Sequence, residues 1–206
     1  MLFDILALIS TLIIITLLKR LVNIFPSLVA CMMRWKESIN LEASVKHSLD
    51  RDMLAVAMII PFCLAAERFR MYDPAFMDGM NENSRLGITI GVFFIYFLIR
   101  MTAFRAARPH KMSQKTYQAA GKAAYTFFIT LTLLVTGAGS ILSFFGAEAD
   151  TVTVAMLWIS ACIYAVFLLR KMQIFVSCCS FFTAFLYLCA LEFLPTGVLV
   201  ASALIL

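Results

Sequence analysis

One carboxylate stands where its presence asks for a reason. Glu192 is the only charged residue between Phe181 and Leu206, a stretch otherwise built of apolar and small polar side chains. An ionisable group in hydrocarbon is costly and is a functional-site hypothesis by default. Two roles suit it. It can carry a proton or ion, or it can anchor its helix by hydrogen bonding to a neighbour or to a carbonyl near Pro195. No base is expected in another span to face it, and a lone acid favours anchoring. A hydrogen-bonded acid of that kind is mimicked by Gln, so Glu192→Gln separates the two roles.

Other reactive residue types do not assemble. Thr136-Gly137-Ala138-Gly139-Ser140 superficially resembles a nucleophile loop, but a nucleophilic serine needs a base within reach. The only histidines, His47 and His110, fall in polar connections. The six cysteines contain no C-x-x-C pair and lie mostly in apolar runs, where free cysteine is a small hydrophobe. Asp73-Pro74, Asp78-Gly79 and Asn81-Glu82-Asn83 lack the spacing of a calcium loop and are turn formers. The sequence therefore predicts no catalytic residue, no metal site and no cofactor. We expect a protein that is not an enzyme.

The elements that position Glu192 follow from composition. The 206 residues are 63% hydrophobic and 14% charged, with a mean hydropathy of +0.94. A soluble domain runs nearer 45–50% apolar and about 25% charged. In lipid every backbone polar group needs an internal partner, which leaves helices or a closed barrel. Long continuous apolar runs, rather than short alternating ones, exclude the barrel. The expectation is an all-α integral membrane bundle, one domain over 1–206.

Six apolar runs are candidate spans: 2–18, 50–66, 86–104, 123–146, 152–169 and 178–206. The N-terminal run lacks the basic start and cleavage pattern of a signal peptide, carries Asp4, and reads as a retained first span. The second is short and contains Pro61. Lys19, Arg20, Arg34, Lys36, Lys46 and Arg51 fall in the first connection. Arg100, Arg105, Arg108, Lys111, Lys115 and Lys122 surround the third, and Arg170-Lys171 form the fifth. Only Arg68, Arg70 and Arg85 fall on the other side. Positive-inside bias then places both termini outside. It also accounts for the net charge of +5 without nucleic acid.

Some details bear on the site. Leu21 to Met33, with Pro26 and followed by Arg34-Trp35-Lys36, is expected along the inner interface, before a short helix over Ser38 to Asp52. Arg100, at the end of span three, is expected to snorkel to the inner headgroups. Met172 to Leu206 is too long for one crossing. Either Met172 to Phe182 lies along the interface or the helix breaks near Pro195-Thr196-Gly197. Gly87 and Gly91, four apart, and Gly137 and Gly139 mark close helix packing, either within the chain or to another subunit.

The run Phe185-Leu186-Tyr187-Leu188-Cys189-Ala190-Leu191-Glu192-Phe193-Leu194-Pro195 resembles the C-terminal signature of a Bacteroidetes family of integral membrane proteins of unknown function. The Lys-Arg after an apolar first span is similar as well. The resemblance implies a multi-pass protein of the bacterial inner membrane and makes Tyr187, Glu192 and Pro195 parts of a pattern. It implies no reaction. The expected role is a non-catalytic subunit or assembly factor whose partners are lipid, other membrane proteins or its own copies. The alternative is a proton- or ion-coupled transporter using Glu192.

Overall fold

The computed structural model describes residues 2–77, 79–106 and 112–205, and all regular structure among them is helical. Asp78, Arg108, His110 and Lys111 lie outside the described residues. The helices are α1 (Leu2–Met33), α2 (Trp35–Ala43), α3 (Val45–Ala57), α4 (Ile59–Arg68), α5 (Glu82–Ala106), α6 (Gln114–Phe144), α7 (Ala149–Val176), α8 (Phe181–Leu188) and α9 (Leu194–Ile205). A π-turn, Cys189–Phe193, joins the last two.

Five segments are long and apolar enough to cross a membrane: α1, α5, α6, α7 and the continuous run from α8 into α9. This is a multi-pass helical bundle. The sixth expected span, 50–66, is built differently. It is two helices end to end, α3 and α4, broken at Met58. Pro61 sits in the first turn of α4, where a missing N–H leaves no intrahelical bond unmade. Pro61 to Glu67 are all buried. A helix enclosed by protein needs no long lipid-facing stretch, and hydropathy marks this segment weakly.

Contacts between helix ends fix the directions. Arg20 meets Asp50 at 3.2 Å, Arg170 donates to the Met32 carbonyl at 2.8 Å, and Lys122 meets Glu42 at 2.9 Å. These gather the end of α1, α2, the start of α3, the start of α6 and the end of α7 at one end of the bundle. At the other end Arg85 meets Glu67, Thr153 donates to the Phe69 carbonyl, and Tyr72 pairs with Ser202. Thus α1, α5 and α7 run one way, and α3–α4, α6 and α8–α9 the other.

Two expected features are absent among the described residues. Leu21 to Met33 does not lie along an interface; it is the second half of α1, a helix of 32 residues with Pro26 inside it. Leu21, Ile24, Leu28 and Cys31 form a buried stripe against Leu41, Leu54, Met58 and Ile129. That stripe draws the segment into the bundle rather than onto the lipid surface. Nor does the last segment begin along the interface or break at Pro195. α7 runs on to Val176, the chain turns over 177–180, and Ser180 caps α8 by accepting from the Thr183 N–H. Before Pro195 the backbone widens into the π-turn, with the Leu194 N–H bonded to the Cys189 carbonyl. An i to i+5 bond absorbs the proline in a continuous helix.

Two helices stop in the same way at the α4–α5 end. α6 closes with Gly146 in the left-handed region (φ 72°), its N–H on the Ser143 carbonyl and the Ala147 N–H on that of Leu142. α4 closes identically, with Arg70 N–H on Glu67 and Met71 N–H on Ala66. This is the Schellman arrangement, whose left-handed position normally belongs to glycine. Arg70 occupies it at φ 45°, at a cost of about 1–2 kcal/mol.

Candidate functional site

The π-turn aims Glu192 into the bundle, where the residue is 1% exposed. It is not alone there. Arg100, from the last turns of α5, places Nη2 2.8 Å from Oε2 and 2.9 Å from Oε1. Lys171, from α7, brings Nζ against Oε1 and is itself 1% exposed. Tyr164 donates its hydroxyl to the Glu192 carbonyl at 3.0 Å, and Tyr96 pairs with Thr196 at 3.0 Å one turn beyond. Three elements, α5, α7 and the π-turn, thus meet on one carboxylate.

Aromatic rings complete the enclosure. The Lys171 ammonium lies 4.8 Å from the Phe104 ring centre, 5.5 Å from Phe167 and 5.9 Å from Phe175. The Arg100 guanidinium lies 5.1 Å from the centre of the same Phe167 ring. Ring faces are electron-rich and attract cations most strongly when water is excluded. They offset part of the surplus charge that two bases and one acid leave in the interior.

The expectation of a lone acid is therefore overturned. Arg100 does not snorkel outward; its side chain is only 16% exposed and reaches the carboxylate. Arg170 and Lys171 are not loop residues but adjacent positions of α7 with opposite tasks. Arg170 donates to the Met32 carbonyl near the end of α1, while Lys171 turns inward. One signal for Lys171 does exist in the sequence. Phe167, Lys171 and Phe175 are spaced four apart, which puts the lysine on the same face as two buried rings.

The remaining expected residues fall as follows. Tyr187 stacks on Phe175 with ring centres 6.2 Å apart, and so supports the wall behind Lys171 rather than Glu192 itself. Pro195 follows the π-turn. Gly139 is a true close approach, because a Cβ there would overlap the Phe69 ring. Gly121, which the sequence does not single out, approaches Phe104 in the same manner. Gly87, Gly91 and Gly137 meet nothing within 4 Å where a Cβ would be. Close packing at the Gly87–Gly91 strip is not made among the described residues.

Two further charge clusters tie the ends. At the α1–α2 end Arg51, 1% exposed, meets Glu42 at 2.9 Å and Asp52 at 2.7 Å, and Lys122 meets the same two acids at 2.9 and 3.0 Å. Burial works against ionisation of Glu42, but hydrogen bonds from Lys122 and Arg51 outweigh it and hold its carboxyl below the ordinary glutamate value. At the α4–α5 end Arg85 meets Glu67 at 2.9 Å and Asp73 at 2.8 Å, and Thr89 donates to Glu67 at 3.1 Å. Among the described residues no three His, Cys, Asp or Glu side chains converge as metal ligands. The chain matches no family model, no curated protein and no solved structure.

Proposed function

We propose that this chain is a small non-catalytic subunit or assembly factor of a bacterial inner membrane. In this reading Glu192 is a clasp that holds the last hairpin to α5 and α7. The observation that carries it is the double pairing of the carboxylate with Arg100 and Lys171, both fixed by their own helices and by packed rings. A group spent on two immobile cations is suited to holding helices together. The Gly87–Gly91 strip of α5 supplies the surface for a partner helix, since a Cβ at either position would meet nothing among the described residues. The inner-membrane location rests on the family resemblance of 185–195, and both termini lie outside by the placement of Lys and Arg.

The test is affinity purification of the tagged chain from native membranes, beside Gly87→Leu and Gly91→Leu. A stoichiometric membrane partner, or a second copy, that is lost in both variants supports the reading. Recovery of the same material with both variants as with the parent chain sinks the glycine strip as the contact. The transporter alternative has one observation in its favour, the imbalance of two bases against one acid. Replacing all three residues, as Arg100→Met, Lys171→Met and Glu192→Leu together, separates the readings. A clasp made apolar keeps fold and partner; a coupling site made apolar keeps the fold and loses function.

A further inference from the structure

A cavity of about 310 Å³ opens at the α4–α5 end, lined by Glu67, Arg68, Arg70, Met80, Glu82 and Arg85. Its floor is already settled. Arg85 divides its donors between Glu67 and Asp73, and the second oxygen of Glu67 accepts from Thr89. The floor is largely buried and paired. The rim is not. Arg68 and Glu82 are exposed and have no ion-pair partner among the described residues. Arg70 is 68% exposed on its side chain and reaches only 3.8 Å from Asp73, an acid already held by Arg85.

A second observation singles out Arg70. It occupies the left-handed closing position of α4, where the matching position of α6 holds Gly146. Glycine fits that backbone freely, and a strained residue beside a cavity is a pointer to function. Its side chain lines the same cavity as that of Arg68. Two guanidiniums offer forked donors that match phosphate oxygens. Glu82, which lines the same cavity, offers a carboxylate to an ammonium. Ends of spans lie at headgroup depth, where phosphate esters with nearby amines are abundant.

We infer that this cavity binds a phosphate-bearing zwitterion of the phosphoethanolamine type, its phosphate on Arg68 and Arg70 and its ammonium on Glu82. The source is either the headgroup of an ethanolamine phospholipid or the free phosphate ester. The site is separate from the Glu192 clasp and does not depend on it.

The decisive variant is Arg70→Gly, because it removes the guanidinium while relieving the backbone. Calorimetric titration of the detergent-purified chain with phosphoethanolamine, and separately with inorganic phosphate, reads the site. Saturable binding of phosphoethanolamine is expected, weakened roughly tenfold or more in Arg70→Gly, as for loss of one charge-assisted contact. The melting temperature of that variant should be equal to or above the parent's, which rules out misfolding as the cause. Glu82→Gln should bring phosphoethanolamine affinity down to that of inorganic phosphate. Mass spectrometry of the intact chain released from phosphatidylcholine nanodiscs, with and without phosphatidylethanolamine, assigns the source. Retained phosphatidylethanolamine, lost in Arg70→Gly, identifies the lipid; binding of the soluble ester with no retained lipid identifies the free ester. Absence of saturable binding by either route, or binding unchanged in Arg70→Gly, overturns the inference.

Discussion

At the scale of single residues, the charge count around Glu192 decides what each substitution does. Truncating one member of a buried ion pair leaves an uncompensated charge and typically costs about 3–5 kcal/mol. Glu192→Gln leaves two cations facing a neutral amide, so it should fall in that range. Gln is thus not the benign mimic that a lone acid would allow. Lys171→Met leaves the Arg100–Glu192 pair, which is balanced, and should cost clearly less. Arg100→Met leaves Lys171 on Glu192 and should lie between. Unfolding in detergent, followed by helix loss with temperature, checks the order. If Lys171→Met proves the most damaging of the three, charge balance is not what governs the site. Glu192 itself was legible in the sequence, because one charge in an apolar run stands out. Its partners were not, because Arg100 and Lys171 sit near span ends where positive-inside bias and snorkelling already explain a base. Only the Phe167, Lys171, Phe175 spacing set the lysine apart.

At the scale of elements, the glycines divide by what faces them. Gly139 is covered by Phe69, which lies just beyond α4, so Gly139→Leu must push α4 and α6 apart. We expect a loss of about 1–3 kcal/mol, the usual range for overpacking, read as a lower melting temperature of the isolated chain. Gly87→Leu and Gly91→Leu meet open space and should leave that temperature unchanged. A drop equal to that of Gly139→Leu would show that the α5 strip is packed within the chain after all. Element types were well marked by continuous apolar runs, and element ends were not. The reach of α1 to Met33 depends on a buried stripe whose partners, Leu54 and Ile129, come from distant sequence. The α3–α4 pair is weakly marked because α4 is buried in protein from Pro61 to Glu67 and needs no long lipid-facing stretch. The π-turn has no local sequence signal beyond Pro195, since a proline in a helix is met by a kink as readily as by a widened turn.

At the scale of the molecule, opposite ends of the bundle differ in charge chemistry, and each difference has a measurable consequence. The α1–α2 end is latched by Glu42 and Asp52 against Arg51 and Lys122. The folded state holds Glu42 below its ordinary value, so its contribution is present above that value and is lost as pH falls through the lowered one. The melting temperature should fall once pH drops below the ordinary glutamate value and on through the lowered one, and Glu42→Gln should lower it at pH 7 while flattening that acid fall. The same parental and variant slopes would remove Glu42 from the latch.

Orientation across the membrane follows from the same asymmetry of ends. Helix-end contacts place Lys19, Arg20, Arg34, Lys36, Lys46, Arg51, Arg105, Lys115, Lys122 and Arg170 at the α1–α2 end, and Arg68, Arg70 and Arg85 at the other. Short connections rich in Lys and Arg stay on the cytoplasmic side. The α4–α5 end should therefore face outward, with six crossings and both termini outside. Cysteine introduced at Glu82 should react with an impermeant maleimide in intact cells. Cysteine at Lys115 should react only after the membrane is opened. Both are read as labelling above that of the parent chain, whose own Cys162 and Cys178 are exposed. The two sites lie at opposite ends of the bundle, so labelling of both from outside cannot arise from simple inversion. That outcome would mean that α5 does not cross, and would break the alternation on which the bundle's directions rest. Exchange of the two patterns would keep the fold and reverse its insertion. Because the arginines at the phosphate cavity sit at the α4–α5 end, the expected pattern also makes that cavity one of the outer leaflet.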